Sequence, residues 1–198
     1  MKFSLLTLLP LAAALPTAEK RASSSFGVMS ARSGSEIHLL PMNAANGSFW
    51  LGEKANTYCP EAVEQAGGVC PTVQGTSFSS ATSLDVIVPG GQAVYVDGKG
   101  ALRFTVPHSA AMAPGASTGP FTYTPGTKAN PIGHYTFTGQ GASGFMACPV
   151  VDGDHKKWQV FAGRQNATVP SGNVADCLGF DAMAVKATSN STAAWEFI

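Results

Sequence analysis

The stretch from Leu84 to Val106 reads LDVIVPGGQAVYVDGKGALRFTV, and its rhythm decides the fold class. Leu84, Val86 and Val88 share one side and Asp85 the other, the two-residue period of a strand with one buried face. Pro89-Gly90-Gly91 interrupts the run, and Val94 and Val96 resume it. Asp97-Gly98-Lys99-Gly100 then supplies hairpin chemistry, because Asp-Gly and Gly tolerate the positive φ of a tight reversal. Leu102, Phe104 and Val106 restart the alternation, with Arg103 and Thr105 facing the other way. By pattern this segment is a β-meander.

The same short period recurs on both sides. Phe26 and Val28 share a face, as do Ile37 and Leu39, which leaves His38 toward solvent. Tyr135 with Phe137, Phe145 to Cys148, and Trp158 with Val160 read as further strands. Cys177 to Phe180, Met183 to Val185 and Trp195 to Ile198 close the series. Pro107 to Pro131 is looser, with one short aromatic strand at Phe121 to Thr124. The one helical candidate is Glu61 to Ala66, after Pro60. The expectation is a single all-β domain of about 11–12 short strands, and such spacing fits a β-trefoil-like fold, a closed barrel or a sandwich without choosing among them.

The chain begins as a secreted precursor does. Lys2 precedes an apolar run from Phe3 to Leu15, too short to span a bilayer and of signal-peptide length. Ala12 and Ala14 have the small-residue spacing of a cleavage site, so residues 1–14 read as signal peptide. The dibasic pair Lys20-Arg21 then marks residues 15–21 as a propeptide, leaving 22–198 as the extracellular domain. Cys59, Cys70, Cys148 and Cys177 make an even set for an oxidising compartment. Three pairings are open, and the expected one is local, Cys59–Cys70 with Cys148–Cys177. The sequons at Asn46, Asn166 and Asn190 fit the same compartment.

The whole chain carries 12 basic and 12 acidic residues. Removing Lys2, Lys20, Arg21 and Glu19 leaves a formal charge of −2, with the basic residues scattered. A nucleic-acid groove needs a stripe of phosphate-neutralising side chains, so that role is excluded. No second apolar run of membrane length appears, and no cofactor is expected.

The polar constellations are sparse. Asp152-Gly153-Asp154 is a turn, with Asp152 and Asp154 the candidate cation ligands, although the oxygen series of an EF-hand is missing. Hydrolysis of a glycoside needs two carboxylates across a cleft, and Asp176 and Asp181, beside Cys177, are the candidate pair. No Gly-x-Ser-x-Gly elbow is present. Trp50, Tyr95, Tyr123 and Trp158 are candidates for stacking on sugar rings, against a role in core packing.

Several stretches carry a resemblance. They are Phe26 to Ser35, Val88 to Tyr95, Phe145 to Pro149, and the run of Asn166 to Pro170 continued by Asp176 to Ala182. Together they resemble the secreted IgE-binding, allergen-like proteins of moulds, related to the cell-wall protein PhiA of phialide and conidium development. The resemblance implies a fungal protein, secreted or wall-bound, with allergenic members and no catalytic set to transfer. The leading expectation is a non-enzymatic wall or extracellular protein contacting glucan, chitin or mannan. A small carbohydrate-active enzyme and a secreted effector that binds a host protein are the alternatives.

Overall fold

A computed structural model describes residues 25–153, 155–187 and 193–198. The described residues form fourteen strands: β1 (Phe26–Ala31), β2 (Met42–Ala45), β3 (Ser48–Leu51), β4 (Thr57–Tyr58), β5 (Phe78–Ser80), β6 (Ser83–Leu84), β7 (Val94–Val96), β8 (Leu102–Phe104), β9 (Phe121–Thr124), β10 (Ile132–Phe137), β11 (Phe145–Asp152), β12 (His155–Ala162), β13 (Leu178–Lys186) and β14 (Glu196–Phe197). The short helix α1 (Glu61–Gln65) follows Pro60 and buries no residue.

Twelve strands join in one network whose main path runs β6-β5-β1-β13-β11-β12-β3-β8-β7. Strand β10 pairs with β13 and β9, and β2 with β3, while β14 and β4 form a separate pair. On this path β5 and β3 stand five ladders apart, about 24 Å in a flat sheet. Phe49 and Phe78 nonetheless stack with ring centroids 5.6 Å apart. The network must therefore curl until its two halves face each other.

The centre of that enclosure is aromatic. Phe26 stacks on Tyr123 at 3.8 Å and on Phe78 at 5.3 Å, and Tyr135 lies 5.4 Å from Phe145 on the facing half. Val94, Val96, Leu102, Phe104 and Val160 complete the wall. Buried Tyr135 keeps its hydroxyl satisfied by donating to the Ala81 carbonyl at 2.8 Å. Removal from water pushes its phenol well above the usual range.

Backbone groups that leave the ladders are met by buried polar side chains, as they must be. Thr76 Oγ1 accepts from the Ala44 amide at 2.8 Å, and Asn43 Oδ1 accepts from the Thr76 amide at 2.9 Å. Gln92 ties the last strand to the body. Its Nε2 donates to the carbonyls of Thr105 and Phe197, both at 2.9 Å, and its Oε1 accepts from the Phe197 amide at 2.8 Å. Two disulfides, Cys59–Cys70 and Cys148–Cys177, join cysteines separated by 11 and 29 positions in sequence.

The meander holds in its second half. Val94, Tyr95 and Val96 pair with Phe104, Arg103 and Leu102 around the Asp97 turn. Its first half differs. Only Ser83–Leu84 is a strand, because the next backbone groups bond to the chain end: Val88 N–H donates to the Trp195 carbonyl and Ile87 N–H to that of Ala194. A closed barrel is also corrected. The ends of the path, β6 and β7, meet only at one isolated bridge, Ser83 to Ala93, and not through a ladder. The strand order carries no threefold repeat either, and two facing layers come nearest to a sandwich.

Three local expectations change as well. Ile37 and Leu39 share no strand face: the segment is a turn in which Ile37 is buried and Leu39 exposed with φ of 61°. Cys177–Phe180 and Met183–Val185 are not two strands. The continuous β13 runs from Leu178 to Lys186 through both apart from Cys177, pairing with β11 at Leu178–Phe180 and with β1 from Asp181 onward. Thr105 is buried, because its Oγ1 accepts from the Ala93 amide at 2.9 Å.

Candidate functional site

The strands that wall the core also present an outer face. On β7, Val94 and Val96 point inward, so Tyr95 points out. On β8, Leu102 and Phe104 point inward, so Arg103 points out. On β12 the same alternation turns Gln159 and Phe161 away from Trp158 and Val160. The register then aligns them. Tyr95 lies opposite Arg103, Arg103 opposite Ser48, and Gln159 Nε2 donates to Ser48 Oγ at 3.3 Å. A row of polar and aromatic side chains thus crosses four strands.

Part of this face is roofed. The segment after β12 folds back so that Ala167 and Val169 pack on Ala101, Met146 and Phe161 in a second, smaller core. The Cys148–Cys177 disulfide pins the far end of that segment. Thr168 N–H donates to the Lys99 carbonyl at 2.8 Å, which joins the roof to the β7–β8 turn. Arg164 reinforces the joint, donating from Nη2 to the Gly98 carbonyl at 2.9 Å and from Nη1 to Gln140 Oε1 at 2.6 Å.

What stays uncovered is an open groove of about 830 Å³. Tyr95, Arg103, Gln159 and Phe161 line it, and the Asp97–Lys99 turn, Pro114 and Thr168 stand around it. Asp97 Oδ1 is occupied by the amides of Lys99 and Ala101, at 2.9 and 3.0 Å. Arg103 differs. Among the described residues its guanidinium has no hydrogen bond or ion pair, and its Nε is buried without an acceptor.

A second hollow of about 350 Å³ lies near the β2–β3 turn. Trp50, Glu53, Asp152 and Lys157 line it, and Lys157 Nζ bonds Asp152 at 3.2 Å. Trp50 is anchored there by its Nε1, which donates to the Ala45 carbonyl at 3.0 Å.

The sugar-stacking candidates therefore separate. Tyr95 faces the large groove and Trp50 the small hollow. Trp158 is buried in the main core with Lys156 Nζ 4.3 Å from its ring centroid, and Tyr123 lies against Phe26. The two acids near Cys177 have different partners: Asp181 faces His134 at 3.4 Å, and Asp176 accepts from Asn173 Nδ2 at 3.4 Å. Asp152 is held by Lys157, and Asp154 lies outside the described residues. Among the described residues no three His, Cys, Asp or Glu side chains gather as metal ligands. Asn46 and Asn166 are exposed, while Asn190, Ala14, Lys20 and Arg21 lie outside the described residues. Arg103, Lys99 and Gln159 are the groove residues that sequence reasoning did not single out. The available signal was Arg103 standing opposite Leu102 and Phe104 in a hairpin, which places a cation on an outer face.

No helix among the described residues is long and apolar enough to cross a membrane. No solved structure matches the chain. An uncharacterized secreted protein of Arthroderma benhamiae is 42% identical over 201 residues, covering 100% of both chains. Residues 26–198 match the PhiA-like secreted protein family. With nearly the whole folded body matched and a full-length secreted relative in a fungus, this chain belongs to the PhiA-like secreted protein family.

Proposed function

We propose that this secreted protein is a non-enzymatic, cell-wall-associated module that holds a wall polysaccharide of the glucan, chitin or mannan class in the outer-face groove. The observation that carries this reading is the composition of the groove. Sugar rings offer apolar C–H faces edged by hydroxyls, and sites that bind them combine aromatic surface with a few placed polar groups. Tyr95, 8% exposed at the groove floor and backed by buried Phe161, supplies the first, Gln159 and Arg103 the second. The groove is open to solvent, which suits a chain running through it.

The test is co-sedimentation of the purified protein with insoluble glucan, chitin and mannan, with reducing ends assayed in the supernatant. Retention without released sugar is expected, and Gln159→Leu should weaken it. Absence of retention on all three polymers would remove the reading. Saturable binding to a host protein that wall sugars do not displace would favour an effector instead.

One observation favours a hydrolytic alternative. Glu53 and Asp152 share the smaller hollow with Trp50, so two carboxylates meet an aromatic side chain there, away from Asp176 and Asp181. Release of reducing ends that disappears in Glu53→Gln with folding intact would establish it. IgE binding belongs to host recognition of the exposed surface, and immunoblotting with mould-sensitised serum tests it. Glycans at Asn46 and Asn166 are proposed with it, and a mobility shift on enzymatic deglycosylation checks them.

A further inference from the structure

We propose that the groove selects a polysaccharide bearing an oxyanion, either a uronate carboxylate or a phosphate ester, and that Arg103 is the group that pairs with it. This rests on the reading of the groove as a glycan site. The charges around the groove point the same way. Asp97 is the one acid among the lining residues, and its Oδ1 already serves two backbone amides of its own turn. Lys99 and Arg103 are its cations, and neither side chain has an ion-pair partner among the described residues.

Arg103 is the informative one. A guanidinium is charged at all ordinary pH and presents five donors in a fixed fork. Buried donors left without acceptors are costly, so native proteins seldom keep them. Arg164 also has a buried Nε without an acceptor, but its two Nη groups donate to Gln140 Oε1 and the Gly98 carbonyl; no nitrogen of the Arg103 guanidinium has such a bond among the described residues. Arg103 is half-buried, its Nε is shut away from water, and no oxygen of the described residues meets it. It also stands mid-row between Tyr95 and Ser48, so a ligand oxyanion bound there would lie beside Tyr95 and within the reach of Gln159. A carboxylate or phosphate matches the fork with paired, charge-assisted hydrogen bonds. A neutral hydroxyl supplies only a weaker acceptor.

The experiment is calorimetric titration of the full chain with four probes: an oligogalacturonate, a phosphorylated oligomannoside, a neutral oligomannoside and inorganic phosphate. One charged oligosaccharide should bind roughly tenfold to a hundredfold more tightly than the neutral one. The arm that binds identifies carboxylate or phosphate. That preference should shrink as salt is raised, vanish in Arg103→Met and return in part in Arg103→Lys, which keeps the charge and loses the fork. If Arg103→Met does not fold, Lys99→Met together with the salt series on the unaltered protein reads the same preference. Equal binding of charged and neutral oligosaccharides would overturn the charge selection and leave the glycan reading standing. Binding of inorganic phosphate as tight as that of either charged oligosaccharide would overturn selection of a polysaccharide. Binding of none of the four would overturn both readings.

Discussion

Replacing Gln92 by methionine isolates the bonds that fasten the last strand. Methionine has similar length and volume, so no sizeable cavity opens, but all three side-chain hydrogen bonds to Thr105 and Phe197 disappear. The Phe197 amide is then a buried donor without its partner, and two carbonyls lose one donor each. A buried group left unsatisfied costs about 1–3 kcal/mol, and carbonyls with a second lone pair fall at the low end. The sum is roughly 3–5 kcal/mol, a large share of the 5–15 kcal/mol that holds an ordinary domain. Urea denaturation followed by tryptophan fluorescence reads it as a lower midpoint with an unchanged slope. Gln92→Glu sharpens the test. A carboxylate there faces two carbonyl oxygens and is desolvated, so its folded pKa rises above the ordinary glutamate value of about 4.3. The deficit should be smallest below that value and grow as pH rises through the raised folded pKa. A loss under about 1 kcal/mol in Gln92→Met would refute the assignment of Gln92 as the fastening group.

Opening Cys148–Cys177 by paired alanine substitution should cost about 3.6 kcal/mol and opening Cys59–Cys70 about 2.8, from sequence separations of 29 and 11. Only the first should also weaken glycan binding, since it pins the roof of the groove. Differential scanning calorimetry and the co-sedimentation assay check both halves. Tyr135 should make stability fall as pH climbs above 10.0, the ordinary phenol value, because the unfolded tyrosine ionises there and the buried one cannot. Tyr135→Phe should flatten part of that fall and cost about 1–3 kcal/mol at neutral pH by stranding the Ala81 carbonyl, as urea midpoints at several pH values will show. Gly98→Ala should loosen the groove, because a Cβ there lies 2.7 Å from the Pro114 carbonyl. Binding should weaken severalfold while the melting temperature moves little.

Much of the fold was legible because it is local. The Asp97 turn and the alternation on either side of it are β7 and β8, with Val94, Val96, Leu102 and Phe104 buried as the period requires. The disulfide pairing was legible too, since both bridges span short stretches of chain. Long-range partners were not. Nothing near Val88 announces that its amide bonds the Trp195 carbonyl, or that β13 serves β11 with one end and β1 with the other. Asn46-Gly47 was readable as a hairpin turn as well as part of a sequon, since both residues have positive φ, 52° and 66°. The groove could be assembled from sequence only in part. Arg103 stood on an outer face by period, but Gln159 joins it through a register set across β3, and the roof comes from a loop that carries no strand pattern.

The most direct measurement is a two-dimensional NMR titration of the labelled protein with wall oligosaccharides. Binding in the groove predicts shifts concentrated at Tyr95, Lys99, the Arg103 Nε–H and the Gln159 side-chain amide, with Glu53 and Asp152 unmoved. Shifts gathered around Glu53 and Asp152 in the smaller hollow, or spectra unchanged at saturating sugar, would contradict a glycan site in the large groove.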